Sequence, residues 1–238
     1  IDASDIQTQA SDRFNKNFLK NSKFSRNVKG TLDSVKKISR KDILKMHKIN
    51  FTRDNLVIGL AGDIDLDSAK KYIDYVFGDL PKLKEKRKIT KFGTLAKGEK
   101  FFEMESPQTT VIFGQRGVGR KENDYFSVRI LNYILGGGGF QSRLYKDIRE
   151  ESGLVYSIYS YLVPVENDGL IIGGFQTRNE TVNKTISKVK EQWDRIKNDG
   201  ISERELKNAK TYYKGSFSRN FVSTLSIASL LKIIQYYD

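Results

Sequence analysis

Apolar residues recur along this chain at two periods, and the order in which the periods alternate sets the expected architecture. Ile6, Ala10, Phe14 and Phe18 fall four apart and draw one stripe along a helix. After a loop containing Gly30, Ser39 stands three residues before Asp42 in ISRKDILKMH, a capping-box spacing that opens a short helix carrying Ile43, Leu44 and Met46. The run NLVIGLA over 55–61 predicts a buried strand ended by Gly62-Asp63, and DSAKKYIDYVF over 67–77 predicts a helix with Ala69, Ile73, Val76 and Phe77 on one face. Strand followed by helix implies a layered fold.

Residues 81–98, PKLKEKRKITKFGTLAKG, interrupt the pattern: they are crowded with Lys and Arg, bounded by Pro and Gly, and nearly without apolar periodicity, which reads as an inter-domain linker. The pattern then restarts. Strands are expected over 101–105 and 109–115, and a helix over 124–135 with Phe126, Ile130 and Ile134 on one face, stopped by Gly136–Gly139. A second helix is expected over 141–151. Tyr156–Leu162 and Gly169–Gln176 flank a turn with Pro164, Asn167 and Asp168 and should pair as an antiparallel hairpin. Helices over 179–198, holding the only Trp, Trp193, and over 202–217, opened by Ser202-x-x-Glu205, precede an apolar close, LSIASLLKIIQYY, that reads as a buried or partner-seeking helix.

Composition narrows the chemistry. With 238 residues, 38% hydrophobic and 30% charged, the chain can bury one large core or two modest ones. No apolar stretch approaches the roughly 20 residues that cross a bilayer, and the polar, acidic start does not have the basic-then-apolar order of a signal peptide, so a soluble chain is expected. The net charge of +13 is compatible with nucleic acid, but it is mostly Lys, spread along the chain among 29 acids and unaccompanied by a basic-aromatic recognition module; solvated faces explain it better. There is no cysteine, which excludes disulfides, thiolate zinc sites and cysteine nucleophiles. His47 is the sole histidine, so a classical zinc site has too few ligands here and His47 is most simply a structural or surface side chain.

Two features remain. LGGGGF over 135–140 has neither a Gly-Lys-Ser/Thr ending nor a Gly-x-Gly-x-x-Gly opening from a strand, so it reads as a flexible helix-to-helix joint with glycines at positive φ, whose close backbone approach would also suit a passing peptide. Arg149 and Tyr156 sit seven apart in IREESGLVY, where helix gives way to strand; each is ordinary alone.

Taken together, GGGGFQSRLYKDIREESGLVYSIYSYL is similar to the most recognisable segment of the second domain of insulinase/pitrilysin-like zinc metallopeptidases, the inverzincins, which include the mitochondrial processing peptidases. VKKISRKDILKMHKINFTRDNLVIGLAGDIDLDSAKKYIDYVFGDLP resembles the end of that family's first domain, and GISERELKNAKTYYKGSF a helix late in its second. The resemblance implies an α+β fold with α/β layering: two partial metallopeptidase-like domains, each an antiparallel-rich sheet packed against helices. Residues 1–85 would be the C-terminal half of the first domain, 86–97 a linker, and 98–238 the second, substrate-side and zinc-less domain, truncated at its C-terminus.

In that family an inverted H-x-x-E-H motif and a more distant Glu hold zinc, all in the first domain, and none of them falls in this sequence. The resemblance therefore implies no metal ligand and no cofactor here, with Zn2+ in the complete enzyme or in a partner subunit. Arg149 and Tyr156 would be the catalytic pair, donating hydrogen bonds to the substrate carbonyl and developing oxyanion, with Gly136, Gly137, Gly138, Gly139 and Phe140 beside the substrate. The implied function is the substrate-binding, non-zinc portion of a metalloendopeptidase that hydrolyses peptides, inactive by itself. The alternative is a zinc-less partner subunit or a purely structural member resembling core subunits of the respiratory bc1 complex. Expected partners are a peptide substrate and a missing N-terminal half or zinc-carrying subunit, in a homo- or heterodimer. Neither nucleic acid nor a transmembrane segment is expected. The resemblance leaves the compartment between bacterial cytoplasm and periplasm.

Overall fold

A computed structural model describes residues 5–20, 22–82 and 91–237. The helices are α1 (Ile6–Phe18), α2 (Leu32–Lys36), α3 (Arg40–Asn50), α4 (Leu66–Phe77), α5 (Tyr125–Asn132), α6 (Val182–Asp199), α7 (Glu203–Phe217) and α8 (Thr224–Tyr237). The strands are β1 (Gln108–Arg116), β2 (Val155–Val165) and β3 (Asp168–Arg178). Packing divides the chain into two units, one of residues 1–28 and 90–212 and the other of residues 29–89 and 213–238. The fold is α+β.

The first unit is built on a three-stranded antiparallel sheet in the order β1-β3-β2. The expected hairpin is β2–β3, closing at Val165↔Asp168, and β1 lies along the other side of β3 with Val111 opposite Phe175. Strand alternation gives the sheet two apolar faces, one covered by helical segments and the other in part by α1, with Tyr159 and Tyr161 left half exposed. On one, Ile158 and Phe175 meet Leu135, Leu144 and Ile148 from the helical segment before β2, and Val189 from α6. On the other, Leu170, with Val163, Val165 and Ile172, meets Phe14, Phe18 and Leu19, which carries the predicted stripe of α1 into a core. Leu144, Ile148 and Leu170 are fully buried, a contribution of about 1.5–3 kcal/mol each.

Two expectations change in this unit. Residues 101–105 form no strand; Phe102 instead lies under the Arg13 guanidinium, 4.8 Å from the ring centroid. The helix expected to stop at the glycines continues past Asn132 as a π-helical turn, Tyr133–Gly137, and a second π-helical stretch runs Tyr145–Glu151. Of the stretch over 81–98 expected to be a linker, residues 83–90 lie outside the described residues. Phe92 is buried in the second core, its N–H donates to Asp168 Oδ2 at 2.9 Å, and Arg116 Nη1 donates to both oxygens of the same carboxylate at 2.6 and 2.8 Å. Arg116 also donates to the Gly93 carbonyl. Leu95 packs against the same core, and Ala96 N–H donates to the Phe18 carbonyl at 2.9 Å.

In the second unit, the cap read from sequence at Ser39 is present, and the structure adds another at Thr31. Ser39 and Asp42 bond reciprocally at the start of α3, and Thr31 and Ser34 do so at the start of α2. Arg53 Nε donates to the Leu80 carbonyl at 2.8 Å and Arg53 N–H to Pro81 O at 3.0 Å, joining the ends of the segment that contains α4. The strand expected over 55–61 is not formed. Leu56 has extended dihedrals, but a strand exists through its ladder, and no described strand pairs with this run. It lies instead against α8, so closely that a Cβ on Gly59 would sit 2.0 Å from the Ala228 carbonyl oxygen. Ile43, Leu44 and Met46 of α3 are exposed.

Candidate functional site

Arg149 and Tyr156 are brought together. The second π-helical stretch ends with Ser152 N–H donating to Asp147 O at 3.1 Å, and Gly153, at φ 61°, turns the chain back so that Leu154 N–H reaches Ile148 O at 3.0 Å. No side chain crowds Gly153, so its positive φ alone accounts for glycine at this turn. β2 begins with a register shift between Val155 and Ile158, a bulge that frees Tyr156 from strict alternation and leaves it 87% exposed. The Arg149 guanidinium lies 5.5 Å from the Tyr156 ring centroid, 4.5 Å from that of Tyr145 and 6.0 Å from that of Phe140. Phe140 and Tyr145 meet edge to face at 4.8 Å.

Tyr145 was not singled out from sequence. The available clue was its place four residues before Arg149 in YKDIR, one helical turn away on the same face. It is 8% exposed and forms the floor under the guanidinium, whereas Phe140 is 66% exposed and stands at the rim. π-helical turns are rare and concentrate at functional sites, and here one lies on each side of Phe140.

The glycines act differently from the flexible joint expected. Only Gly139 has positive φ, 55°, with open space around it. Gly136 is helical and buried against β2: a Cβ there would lie 2.5 Å from Ser160 Oγ and 2.8 Å from Leu144 Cδ1. A Cβ on Gly137 would lie 2.8 Å from Asn132 Nδ2, and one on Gly138 2.7 Å from the Tyr133 carbonyl oxygen. Gly136 and Gly137 let a helical turn press onto β2, and Gly138 lets the chain close over Tyr133.

Two polar networks brace the site. Asp147 accepts from Lys188 Nζ at 2.6 Å and from Gln192 Nε2 at 2.7 Å, pinning the Arg149-bearing turn to α6. Burial pushes the Asp147 carboxyl up, but those two bonds outweigh it and hold the group below its ordinary value. Arg143 grips Glu205 through Nε at 2.6 Å and Nη2 at 2.8 Å, and Ser202 N–H adds a bond at 2.8 Å. The Arg143 bond, followed by those from Ser202, lowers Glu205 to about 2.

The described residues do not fit a zinc site. Its only imidazole, His47, stacks on Phe51 at 4.7 Å, and among the described residues no three His, Asp or Glu side chains converge. No described helix is long and apolar enough to cross a membrane.

Residues 37–213 match the family model described as the peptidase M16 inactive domain. The chain is 34% identical over 188 residues to an uncharacterized zinc protease, YmxG, of Bacillus subtilis (strain 168), covering 74% of this chain and 42% of that protein. It is 29% identical over 188 residues to a Helicobacter pylori protein (strain ATCC 700392 / 26695) named non-peptidase homolog YmxG, covering 79% and 43%. The crystal structure of a peptidase M16 inactive domain from Pseudomonas fluorescens superposes with a TM-score of 0.86 at 29% identity, over 97% of this chain and 55% of that one. The chain belongs to the peptidase M16 family. It spans less than half the length of these two curated relatives.

Proposed function

We propose that this chain is the substrate-side, zinc-free part of a peptide-hydrolysing M16 assembly, with zinc supplied by the rest of the complete enzyme or by a partner subunit. On this reading residues 1–85 and 98–238 belong to successive domains joined by 86–97. What supports it most is the convergence of Arg149 and Tyr156 from a π-helical turn and a bulged strand, with the guanidinium 5.5 Å from the phenol ring. A guanidinium and a phenol held side by side can donate hydrogen bonds to a peptide carbonyl and to the oxyanion that develops from it. Gly136–Gly139 and Phe140 flank the peptide; Gly139 and Phe140 have the room to touch it, and Gly136–Gly138 shape the wall behind.

In the assembled enzyme, Tyr156→Phe should lower kcat by roughly 10²–10³, the loss of one oxyanion donor, with zinc content unchanged. Unchanged kcat would remove the catalytic assignment. The name of the Helicobacter pylori relative favours a second reading, a non-catalytic member of the family. Absence of peptide cleavage by the zinc-loaded assembly, together with co-purification with a larger complex, would support that reading.

A further inference from the structure

We propose that Arg149 and its aromatic surround bind a peptide carboxylate, from a C-terminus or an Asp or Glu side chain; this rests on the peptide-binding reading above and narrows its substrate class. The three rings around the guanidinium orient it without consuming any of its five N–H donors. Among the described residues no hydrogen bond or ion pair engages those donors. The acids close to it in sequence do not close on it: Asp147 is taken by Lys188 and Gln192, and Glu150 and Glu151 form no ion pair with Arg149. Two other arginines of the same unit show the contrast. Arg116 and Arg143 each hold a carboxylate of this chain, Asp168 and Glu205, through paired short bonds.

An open fork of this kind has more donors than one carbonyl oxygen uses, and a remaining parallel pair matches a carboxylate. Two parallel, charge-assisted N–H···O bonds are about twice as strong as neutral ones, whereas a carbonyl brings one neutral oxygen. Phe140 and Tyr156, both exposed, give an incoming chain apolar surface to cover, and covering them would strip water from the ion pair and strengthen it. The excess of 42 basic over 29 acidic residues favours the approach of an anion.

The test uses the full 238-residue chain and fluorescent extended peptides in matched pairs: free acid against C-terminal amide, and interior Glu against Gln in an amidated peptide. At least one charged member should bind about tenfold or more tightly than its neutral partner. Arg149→Gln, whose circular dichroism should match the wild type, should erase that preference, and Arg149→Lys should restore only part of it. Preference for the free acid assigns the site to a C-terminus, and preference for interior Glu assigns it to a side chain. Equal binding of charged and neutral members, or a preference that survives Arg149→Gln, would overturn the carboxylate assignment while leaving peptide binding intact. Failure of every peptide to bind would sink both.

Discussion

Asn132 and Ser160 hold each other twice, Asn132 Nδ2 donating to the Ser160 carbonyl at 3.2 Å and Ser160 Oγ donating to Asn132 Oδ1 at 2.8 Å. Both residues are buried, at the point where the α5 helix meets the outer side of β2. The carboxamide occupies the place a neighbouring strand would take at Ser160, so it closes part of an otherwise open sheet edge. Asn132→Ala should cost about 1–3 kcal/mol in urea unfolding, because it strands a buried hydroxyl and a carbonyl. Ser160→Ala added to Asn132→Ala should cost much less than it does alone, since the two act as one unit. Additive losses in the double-mutant cycle would mean that the pair is not coupled.

Gly136 and Gly139 separate packing from backbone conformation within one glycine run. Gly136→Ala places a methyl against Ser160 Oγ, Leu144 Cδ1 and Ser160 N–H at 2.5, 2.8 and 2.9 Å, so β2 or the turn must move, and a loss of roughly 1–3 kcal/mol is expected. Gly139→Ala meets no neighbour and carries only the strain of φ 55°, on the order of 1 kcal/mol. Thermal melts of the two variants check the order. A greater loss for Gly139→Ala would mean that the helical turn at Gly136 adapts readily.

The sequence carried the hairpin, α1, α3, α6 and α7 because each depends on local information: alternation, a four-residue stripe or a capping box; the Arg149/Tyr156 pair came from the family resemblance and not from its spacing. What it could not carry were features set by distant contacts. Whether NLVIGLA becomes a strand depends on a paired neighbour, and whether Gly136 is a joint or a packing surface depends on Ser160, 24 positions away. The Phe92 anchor depends on Asp168, which is 76 residues distant. Tyr145 was legible through its spacing from Arg149, but on a helix face that spacing more often means packing than function.

Stoichiometric zinc should be absent from the purified chain. The prediction rests on donor chemistry: one imidazole, no thiolate, and no convergence of three carboxylate or imidazole groups among the described residues. Elemental analysis after dialysis should return well under one equivalent. About one tightly held zinc per chain would overturn the assignment, because a structural site needs close to four ligands.

Acid should weaken the first unit through Glu205 in particular. Its carboxyl is held at about 2 in the folded chain against an ordinary 4.5, first by the Arg143 bond and then by the bonds from Ser202. A depressed folded-state value means that the ionised form favours folding. The contribution is complete above about pH 4.5 and is lost as pH falls from there through about 2. Asp147 and Asp168 are lowered as well and act in the same direction, so the Glu205 share must be isolated by difference. In Arg143→Gln the largest cause of the shift is gone. That variant should be less stable at neutral pH, by on the order of 1–3 kcal/mol, and should then lose less further stability than the wild type as pH falls from 5 towards about 2.5. Urea midpoints for both proteins across that range measure the difference directly. Parallel acid curves would show that Glu205 titrates normally despite its bonds to Arg143, and the guanidinium would then be contributing packing and little charge.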